Sequence, residues 1–523
     1  MKNISIKKLT SVALIALAIM GSGCAKISEF GTTNNDPNGI NNPVPSALLT
    51  KGLSQLGGFA SNVRRAVYAQ YVSENQYTET STYALPILEM GPTYSGILQD
   101  MQTIINYNSD PKTASVAVAD GSNKNQIAVA KIVRSYIYWT LTDAWGDIPY
   151  SQALQGAGNL TPKFDRQEDV YFGLLKDLKE AVNGFDGGAA SKGDILFGGT
   201  TAIDSWKRFG NSIRMLMAMR LTNKYPAAGG KAAVEFADAA AGPHIMVNAE
   251  NAEQKYPGGA FQNPWYLVYQ TRDDYASSKT MGDVLNGLGD NRSTVFGTPG
   301  PMFPYGLTRD LAVQYGNSVG NGQSRVLATN FRQQNSPVTI IGASLVLLAM
   351  AEAKERGWIS GSAEADYNAA VTAAFMQWGL TIPGTYLSGS ANYNTGIGVP
   401  GSIGAGSPPY DNFRAVDNNI QDASTFVDLG VPGQDANDIF LSKLRRIALQ
   451  YWLAGFPNGN EGWASQRRTG VPNLKETRFK TGPFVLRYVY GNQDYGLNNA
   501  NTVAAAAAIG GDKQDTPVWW DIK

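Results

Sequence analysis

Few residues in this chain of 523 could carry out catalysis. Asp143 and Asp147 flank Trp145, and a pair of carboxylates can act as acid and base in glycoside hydrolysis. The same spacing, around a turn that contains Gly and Pro, also suits capping and turn hydrogen bonds, and we favour that structural interpretation. His244 is the only histidine, and no serine elbow stands near it. The sequence therefore predicts a protein that is not an enzyme.

The composition excludes several other classes of protein. The chain has 43 Lys and Arg against 43 Asp and Glu, whereas a general nucleic-acid binder needs a surplus of positive charge to neutralise phosphates. Hydrophobic residues make up 43% and charged residues only 16%, which argues against a disordered protein. One Cys excludes an intramolecular disulfide and a cysteine-based zinc site, and one His excludes a multi-histidine metal site.

The sequence predicts no bound cofactor or metal. Asn- and Asp-rich tracts at 34–42 and 271–274 carry the oxygen ligands that Ca²⁺ prefers. Neither tract has the ligand spacing of an EF-hand loop, so calcium binding has no support beyond the ligand type.

The first residues predict an export signal. They consist of a basic start with three lysines, followed by a short apolar run at 9–20. A run of this length cannot span a bilayer as a helix, but it suits the hydrophobic region of a signal peptide. Three small residues at 21–23 then precede Cys24, the only cysteine. This order resembles a bacterial lipobox, in which the cysteine becomes the lipidated first residue of the mature protein, although Gly21 stands where a Leu-like residue is usual.

We therefore predict a lipoprotein signal peptide at 1–23, lipidation of Cys24 and a lipidated tether over 24–45. An ordinary secretory signal with an incidental cysteine is the alternative. No later apolar run is long enough to span a membrane, so the acyl chains would be the anchor.

The remaining chain is mostly helical by pattern. After Asp165, the residues Leu174, Leu178 and Val182 recur on one helical face, and Asp165 with Glu168 predicts a capping box at the start of that helix. Gly357 and Gly379 stand where left-handed C-terminal caps are expected. The predicted helices cover about 46–72, 94–107, 125–143, 338–356, 363–378 and 437–455, with two more that start near Asp165 and Trp206.

Several of these helices form adjacent pairs with short links, as in tetratricopeptide-like hairpins, although no repeat of fixed period is present. The segments 255–335 and 380–436 are poor in helical pattern and rich in Gly, Pro, Asn and Tyr. Connections of that length are usually functional loops or a subdomain built from loops. We therefore predict one domain over 46–523, with these two segments as loop-rich insertions.

Six motifs, in order along the chain, resemble those of the SusD/RagB-type outer-membrane lipoproteins. They are Asp143-Ala144-Trp145-Gly146-Asp147-Ile148-Pro149-Tyr150, Trp206 to Arg220 with Asn211-Ser212-Ile213-Arg214, Tyr275-Ala276-Ser277-Ser278-Lys279-Thr280-Met281, Ala351-Glu352-Ala353 with Arg356-Gly357-Trp358, Glu461-Gly462-Trp463 with Arg467-Arg468-Thr469-Gly470-Val471-Pro472, and Thr516-Pro517-Val518-Trp519-Trp520-Asp521. Each motif is weak alone, but six in order behind a lipobox make the resemblance strong. Because the motifs are spread along the chain, the resemblance covers essentially the whole mature protein.

The resemblance implies a mainly α, SusD-like fold, with tetratricopeptide-like helix pairs as the scaffold, a loop-rich ligand-binding face and few short strands. It implies a protein that is lipid-anchored in the outer membrane, faces the cell exterior and is not an enzyme. Such proteins capture oligosaccharides, or in some members peptides, and hand them to a SusC-like TonB-dependent transporter. The implied partners are therefore that transporter and a glycan or peptide ligand.

The residue types agree with glycan binding. A sugar site needs flat aromatic faces for C–H surfaces, and amide, carboxylate or guanidinium groups for the hydroxyls. Two loop segments, 73–94 and 261–275, offer both. The residues predicted to bind ligand are Asn75, Tyr77, Tyr83, Tyr94, Trp265, Tyr266, Tyr269, Arg272 and Asp273. For any one of these tyrosines, simple filling of an irregular loop is the alternative.

Other prominent residues are predicted to be structural. Glu461, Arg467 and Arg468 are expected to form an ion-pair network that orients Trp463. The terminal run Trp519-Trp520-Asp521 is expected to pin the C-terminus to the body. Four tryptophans within helical patterns are predicted to be core residues: Trp139, Trp206, Trp378 and Trp452.

Three functions are open at this point. A binding protein would present a shallow aromatic platform and would not turn over its ligand. A lipid-anchored glycosidase would hold two carboxylates in a cleft, about 5–10 Å apart. A lid with little affinity of its own would leave most ligand contacts to the transporter. The aromatic cluster at 261–275 distinguishes the first function from the third.

Overall fold

The computed structural model describes the chain from residue 43 onward, with gaps. The described residues are 43–199, 201–297, 302–303, 323–389, 391, 427–428, 436–474, 477 and 479–522, and only the backbone is described for 427–428, 436–442 and 473. The predicted signal peptide, Cys24, most of the predicted tether and most of the 380–436 segment lie outside these residues. Val44–Lys523 is one compact unit.

Helices provide most of the regular structure, as predicted. The longer ones are α1 (Pro45–Leu53), α2 (Leu56–Ala60), α3 (Val63–Tyr68), α4 (Gln99–Ser109), α5 (Asn123–Trp145), α6 (Gln167–Gly184), α7 (Ala202–Arg220), α8 (Lys231–Ala240), α9 (Lys279–Leu288), α10 (Ala343–Glu355), α11 (Ala363–Met376), α12 (Ala436–Gly455), α13 (Gly459–Thr469), α14 (Asn492–Leu497) and α15 (Asn499–Ala508). Shorter helical turns lie at Gly91–Thr93, Tyr94–Leu98, Ala114–Ala117, Val118–Asp120, Gly156–Gly158, Asn248–Glu250, Pro264–Leu267, Ser293–Phe296 and Thr329–Phe331. Among the described residues, no helix is both long and apolar enough to cross a membrane.

The first predicted helix, 46–72, is wrong in its continuity, because α1, α2 and α3 replace it. Asn62 ends the run and starts α3 as its N-cap, where its side chain accepts a hydrogen bond from the backbone N–H of Arg65 at 3.0 Å. Gly57 in α2 lies directly against Tyr256, since a Cβ there would be 1.9 Å from the tyrosine oxygen. The helical periodicity was therefore local to each short piece.

The caps of the later helices are partly as predicted. Gly357 and Gly379 have φ of +70° and +67°, so both left-handed caps are confirmed. The predicted capping box is wrong: α6 starts after Arg166, which makes no side-chain cap. Asp165 instead accepts hydrogen bonds from the backbone N–H groups of the turn at 150–151, at 3.1 and 2.7 Å.

Sequence-adjacent helices pack as pairs and form the scaffold: α5 with α6, α7 with α8, and α10 with α11. Their facing sides bury the residues that recur at helical spacing, such as Leu174 and Leu178 in α6. The core also holds Trp139, Trp206 and Trp452, whereas Trp378 is only half-buried. A mainly α fold built on helix pairs is thus confirmed.

Strands are short and always paired in twos within the described residues, each pair antiparallel. The pairs are β1 (Val72–Glu74) with β5 (Tyr275–Ser277), β2 (Ile148–Pro149) with β3 (Phe164–Asp165), β4 (Ala252–Gln254) with β6 (Val338–Ile341), and β7 (Val427–Asp428) with β8 (Asn473–Leu474). The first pair joins the 255–335 segment to the residues after α3, and the third pair joins the two stretches that flank that segment. Within its described residues, the 255–335 segment also contains α9 and three short helical turns.

Two glycines of α13 lie in close contact with neighbouring segments, and one of them, Gly462, belongs to the Glu461-Gly462-Trp463 motif. α13 lies against α3 and the residues that follow it, and Gly459 approaches so closely that a Cβ would be 2.2 Å from the backbone nitrogen of Ala66. A Cβ at Gly462 would be 2.4 Å from the ring of Tyr71. Any larger residue at these positions would push the two helices apart.

Candidate ligand-binding face

The two segments predicted to bind ligand meet along one pair of strands. β1 runs antiparallel to β5, with Glu74 opposite Tyr275. The contact continues past the strands, where the backbone N–H of Asn75 donates to the carbonyl of Asp274 at 2.9 Å. Segments about two hundred residues apart are therefore held as one surface by ordinary strand pairing.

The loop after β1 folds back on a buried carboxylate. Glu74 accepts hydrogen bonds from the backbone N–H and the hydroxyl of Ser81, at 2.8 and 3.0 Å. Burial raises the pKa of Glu74, and the Ser81 hydrogen bonds oppose that rise. This tight closure leaves Tyr77 at the tip with φ of +56°, in the left-handed region.

The exposed part of the surface is an aromatic ring with a guanidinium group over it. The side chain of Tyr77 is 60% exposed, and Cζ of Arg272 lies 4.5 Å from the centroid of its ring. Nε of Arg272 is 2.6 Å from Oδ2 of Asp274. We call the surface formed by Tyr77, Arg272, Asp273, Asp274 and Arg325 the β1–β5 face.

A second ion pair extends the β1–β5 face toward the interior. Nε of Arg325 lies 3.2 Å from Oδ1 of Asp273, and Cζ of Arg325 is 5.1 Å from the ring centroid of Tyr269. The Tyr269 hydroxyl donates to the carbonyl of Tyr275 at 3.2 Å and accepts from the N–H of Val326 at 2.9 Å. Burial raises the pKa of Tyr269, so the hydroxyl keeps its proton for that donation.

The β1–β5 face carries the groups that a sugar-binding surface requires. Tyr77 offers a flat apolar ring, and the two arginines and two aspartates offer donors and acceptors. Exposed ion pairs contribute little to stability, so these side chains can exchange each other for ligand hydroxyls at small cost. The tract 271–274, considered for Ca²⁺, uses both its carboxylates in these arginine pairs.

Within the described ranges, no group of three or more His, Cys, Asp or Glu side chains is arranged to hold a metal ion. His244 is half-buried, and its Nδ1 lies 2.8 Å from the carbonyl of Gly242. That contact is local and places the imidazole in no cluster of the kind a metal or a catalytic base requires.

Four of the predicted ligand-binding residues are not on the exposed surface: Asn75, Tyr83, Trp265 and Tyr269. Asn75 is fully buried and its Nδ2 donates to Oε1 of Gln323 at 2.6 Å. Trp265 is 1% exposed, because the one-turn helix Pro264–Leu267, capped by Asn263, directs it inward. Of these four, Asn75 and Tyr269 contact the β1–β5 face or its strands from beneath, and no ring among the four is open to a ligand there.

Two predicted tyrosines lie elsewhere in the fold. The hydroxyl of Tyr94 donates to the carbonyl of Pro149 at 2.5 Å, beside β2. Tyr83 packs edge-on against Phe484, 5.3 Å between ring centroids. Of the nine predicted residues, the structure therefore brings Tyr77, Arg272 and Asp273 into one exposed cluster. Tyr266, on the helix Pro264–Leu267, is half-buried.

Arg325 is the contact that sequence reasoning missed. It pairs with Asp273 although 52 residues separate them, and nothing at short spacing marks it. Gln323, which holds Asn75, lies in the same stretch. The available signal was the position of both residues inside the 255–335 segment, which was singled out only for its composition.

The carboxylate pair considered for catalysis is structural. Asp143 is fully enclosed: it accepts hydrogen bonds from the hydroxyl of Tyr171 and from Nε1 of Trp520, the latter at 2.8 Å, and it pairs with Arg220 at 3.2 Å. Burial raises the pKa of Asp143, and Arg220 opposes the rise. The contact with Trp520 confirms that the terminal run pins the C-terminus.

Asp147 serves as a turn acceptor, taking a hydrogen bond from the N–H of Gln167 at 2.8 Å. The void that Asp143 lines measures about 10 Å³, which is room for one water molecule. A glycosidase must place a sugar beside its catalytic carboxylates, and the void at Asp143 is far smaller than a sugar.

Glu461 and Arg468 of the predicted network form ion pairs, but each pairs with a residue of another helix. Glu461 pairs with Arg220 at 3.0 Å. Arg467 lies 3.8 Å from the ring centroid of Trp463 and donates to a backbone carbonyl of α5, so it does orient that indole. We call Asp143, Arg220, Glu352, Glu461, Arg467 and Arg468 the buried charge cluster.

Arg468 forms a third ion pair of the buried charge cluster, with two contacts of 2.7 Å to Glu352. Burial disfavours the Glu352 carboxylate, but Arg468 and Arg356 outweigh that effect and lower its pKa to about 2. The two carboxylates, Glu352 and Glu461, are thus held by arginines from other helices.

The helix-pair scaffold, the short paired strands and the exposed loop-built face define a SusD-like protein. The family profile described as "Starch-binding associating with outer membrane" matches residues 37–490, and the chain belongs to this SusD-like family. A comparison with curated protein sequences finds no match.

Solved structures show the same fold at low sequence identity. A SusD homologue from Bacteroides uniformis is 23% identical, with a TM-score of 0.71 over 92% of this chain and 100% of the other. A chitin-binding SusD homologue from Flavobacterium johnsoniae is 22% identical, with a TM-score of 0.70 over 92% of this chain and 98% of the other. A chitin-binding protein is 23% identical, with a TM-score of 0.68 over 92% and 100%.

Proposed function

We propose that this protein captures oligosaccharides at the cell surface and hands them to a SusC-like TonB-dependent outer-membrane transporter. The observation that carries the proposal is the β1–β5 face, in a chain of the SusD-like family. There the exposed ring of Tyr77 lies beside the guanidinium of Arg272. The description of the family as starch-binding, and the chitin-binding relatives, support a glycan as the ligand class.

The geometry of the β1–β5 face suits capture without chemistry. The Tyr77 ring and the two ion pairs are exposed, so an oligosaccharide can bind across them without entering a cleft. The carboxylate pair that could have hydrolysed a glycan is enclosed by protein groups. The ligand would therefore leave the protein uncleaved, as hand-off to a transporter requires.

We further propose that Cys24 is lipidated and anchors the protein in the outer membrane, facing the cell exterior. The lipobox pattern at 21–24 and the outer-membrane association of the family support this location. Replacing Cys24 by Ala should move the protein from the membrane fraction to the soluble fraction. If the C24A protein stays with the membrane, the anchor is not at this cysteine.

The experiment that tests the function is calorimetric titration of residues 25–523, which include the whole compact unit, with starch-derived oligosaccharides, chito-oligosaccharides and peptides. We expect saturable binding of at least one glycan series, with no cleavage products in the same samples. Binding of peptides alone would replace the ligand class. Products would overturn the prediction that the protein is not an enzyme, and the absence of any binding would favour a lid that needs its transporter.

A further inference from the structure

A small cavity beside β6 contains one of the tryptophans expected on the surface. It measures about 210 Å³, and its buried lining includes Trp265 and Ser344, the latter in the first turn of α10. Phe331 and Trp378 also line it and remain partly exposed, so the cavity reaches the surface at these two rings. None of the residues of the β1–β5 face contributes to the lining that is described.

Three buried polar atoms in this lining have no hydrogen-bond partner among the described residues. They are Nε1 of Trp265 and the hydroxyl oxygens of Ser61 and Ser344. Buried polar groups in folded proteins are almost always paired, so these three groups are available to hydrogen-bond a polar molecule in the cavity. In the first turn of α10, the N–H of Ala343 donates to Oδ1 of Asn251 at 2.8 Å and that of Leu345 to the carbonyl of Gly342 at 3.2 Å, so the side chains supply the polar groups of this lining.

The charge of the lining restricts the occupant. Among the described lining residues, none is basic and one, Glu253, is acidic. Glu253 accepts a hydrogen bond from the Thr339 hydroxyl at 3.2 Å, and Thr339 in turn accepts from Nε2 of Gln377 at 3.3 Å. An anion would lie near Glu253 without a compensating cation, and a cation would lie near the Trp265 indole, whose N–H is a donor and offers it no acceptor.

The apolar part of the lining is aromatic. Phe331 and Trp378 lie edge to face, 5.3 Å between centroids, and Phe456 lines the buried part of the cavity. Aromatic walls with a few hydroxyl and amide groups suit a molecule that has both C–H faces and hydroxyls. Its volume of about 210 Å³ is roughly twenty times that of the one-water void at Asp143, which leaves room for a molecule of the size of one sugar ring.

We propose that this cavity binds one uncharged sugar ring, at the end of a glycan, with the Trp265 indole N–H and the Ser344 hydroxyl as its hydrogen-bonding groups. The proposal rests on the proposed function, because it takes a glycan as the ligand, and it adds a second site apart from the β1–β5 face. Trp265 thus contacts ligand from within a cavity and not from an open platform.

The test follows the indole N–H signal of Trp265 by nuclear magnetic resonance in ¹⁵N-labelled protein, residues 25–523. Of the ten tryptophan signals, the one lost in Trp265→Phe assigns it. Glucose and N-acetylglucosamine are the neutral probes, and glucuronate and glucosamine are the charged ones. We expect a saturable shift of the Trp265 signal with a neutral probe, and affinity for the charged probes at least about tenfold weaker.

Two variants separate the cavity from the β1–β5 face. Ser344→Ala is a small change that should weaken the neutral sugar about threefold to tenfold, through the loss of one hydrogen bond. Tyr77→Ala should leave the Trp265 shift unchanged, since Tyr77 is not in the lining.

Three results would overturn the proposal. The first is a Trp265 signal that does not move at millimolar sugar, which would mean that the cavity holds water only. The others are an equal response to glucuronate and an unchanged sugar affinity in Ser344→Ala. If oligosaccharides still bind the wild type in calorimetry while Trp265 is silent, the proposed function stands and only this site is removed. A Trp265 response without oligosaccharide binding at the β1–β5 face would support the cavity and remove that face.

Discussion

The buried charge cluster and the β1–β5 face use the same residue types to opposite ends. Both join aspartate or glutamate to arginine, and both place a guanidinium against an aromatic ring. In the buried charge cluster, Arg220 and Glu461 are sealed between helices. In the β1–β5 face, the Arg272 side chain is 53% exposed and its ion pair is open to solvent.

The difference shows that residue type does not separate structure from function in this protein. A buried ion pair that loses one partner leaves an uncompensated charge, so its members are committed to each other. An exposed pair is worth little, so its members are available to a ligand. Burial, which depends on the whole fold, decides which role a given arginine has.

The largest expected effect is on the buried side. Glu352→Gln leaves the guanidinium of Arg468 without its carboxylate, and we expect the free energy of unfolding at pH 7 to fall by about 3–5 kcal/mol in urea titrations. Glu180→Gln is the matched control, because Glu180 is half-exposed and pairs with Lys131 at 2.8 Å. The control should lose less than about 1 kcal/mol. Equal losses in the two variants would contradict the contrast.

The pKa of Glu352 predicts how the loss of stability in this variant depends on pH. The folded pKa of Glu352, about 2, lies below the ordinary value of 4.5, so the stabilisation is complete above pH 4.5 and is lost as the pH falls toward 2. The difference in unfolding free energy between wild type and Glu352→Gln should therefore shrink over that interval. A difference that stays constant down to pH 2 would show that the charge of Glu352 is not its cause.

The next effect is on binding. Tyr77→Ala should weaken oligosaccharide affinity about tenfold, or ~1.4 kcal/mol, because the exposed ring would no longer cover a sugar face. Its unfolding free energy should stay within about 0.5 kcal/mol of the wild type. Leu160→Ala is the control, as an exposed apolar residue elsewhere on the surface. Unchanged affinity in calorimetry would remove Tyr77 from the site.

A smaller effect concerns Asp494, a half-buried carboxylate that lies in neither region. Burial, with help from Glu89 and Asp512, raises its pKa to about 6, although the N–H of Gly491 opposes the rise. The folded pKa exceeds the unfolded value, so the charge costs stability above pH 6, and the cost disappears as the pH falls toward 4.

Asp494→Asn keeps an oxygen acceptor for Gly491 and removes the charge. We expect the variant to be more stable than wild type by about 1 kcal/mol at pH 8, and equal to it near pH 4. Thermal unfolding at the two pH values measures this. A variant that is less stable at pH 8 would mean that the hydrogen bond needs the charge.

The smallest effect is on the exposed ion pair itself. Asp274→Asn should change the unfolding free energy by less than about 0.5 kcal/mol, because Arg272 is well solvated. Urea titration of the variant beside Glu352→Gln compares the two kinds of pair directly. A loss above about 1 kcal/mol would place Asp274 with the structural carboxylates.

The scaffold could be predicted from the sequence because helix formation is local. Spacing of apolar residues in α6 and the glycine caps after α10 and α11 involve neighbours within a few positions. Errors occurred where a distant residue intervened. Asp165 accepts from the turn at 150–151 in place of capping α6, and α2 is shaped around Tyr256 from another segment.

The sequence by itself determined the mainly helical fold and, through ordered motifs along the chain, the SusD-like family. Only the tertiary structure decided which aromatic side chains are exposed, as it leaves Tyr77 open and encloses Trp265. It also decided the pairing of charges, joining Arg220 to Glu461 across 241 residues and Arg325 to Asp273 across 52. Periodicity and motifs are written between near neighbours in the chain, whereas burial and ion pairing depend on which distant segments the fold brings into contact.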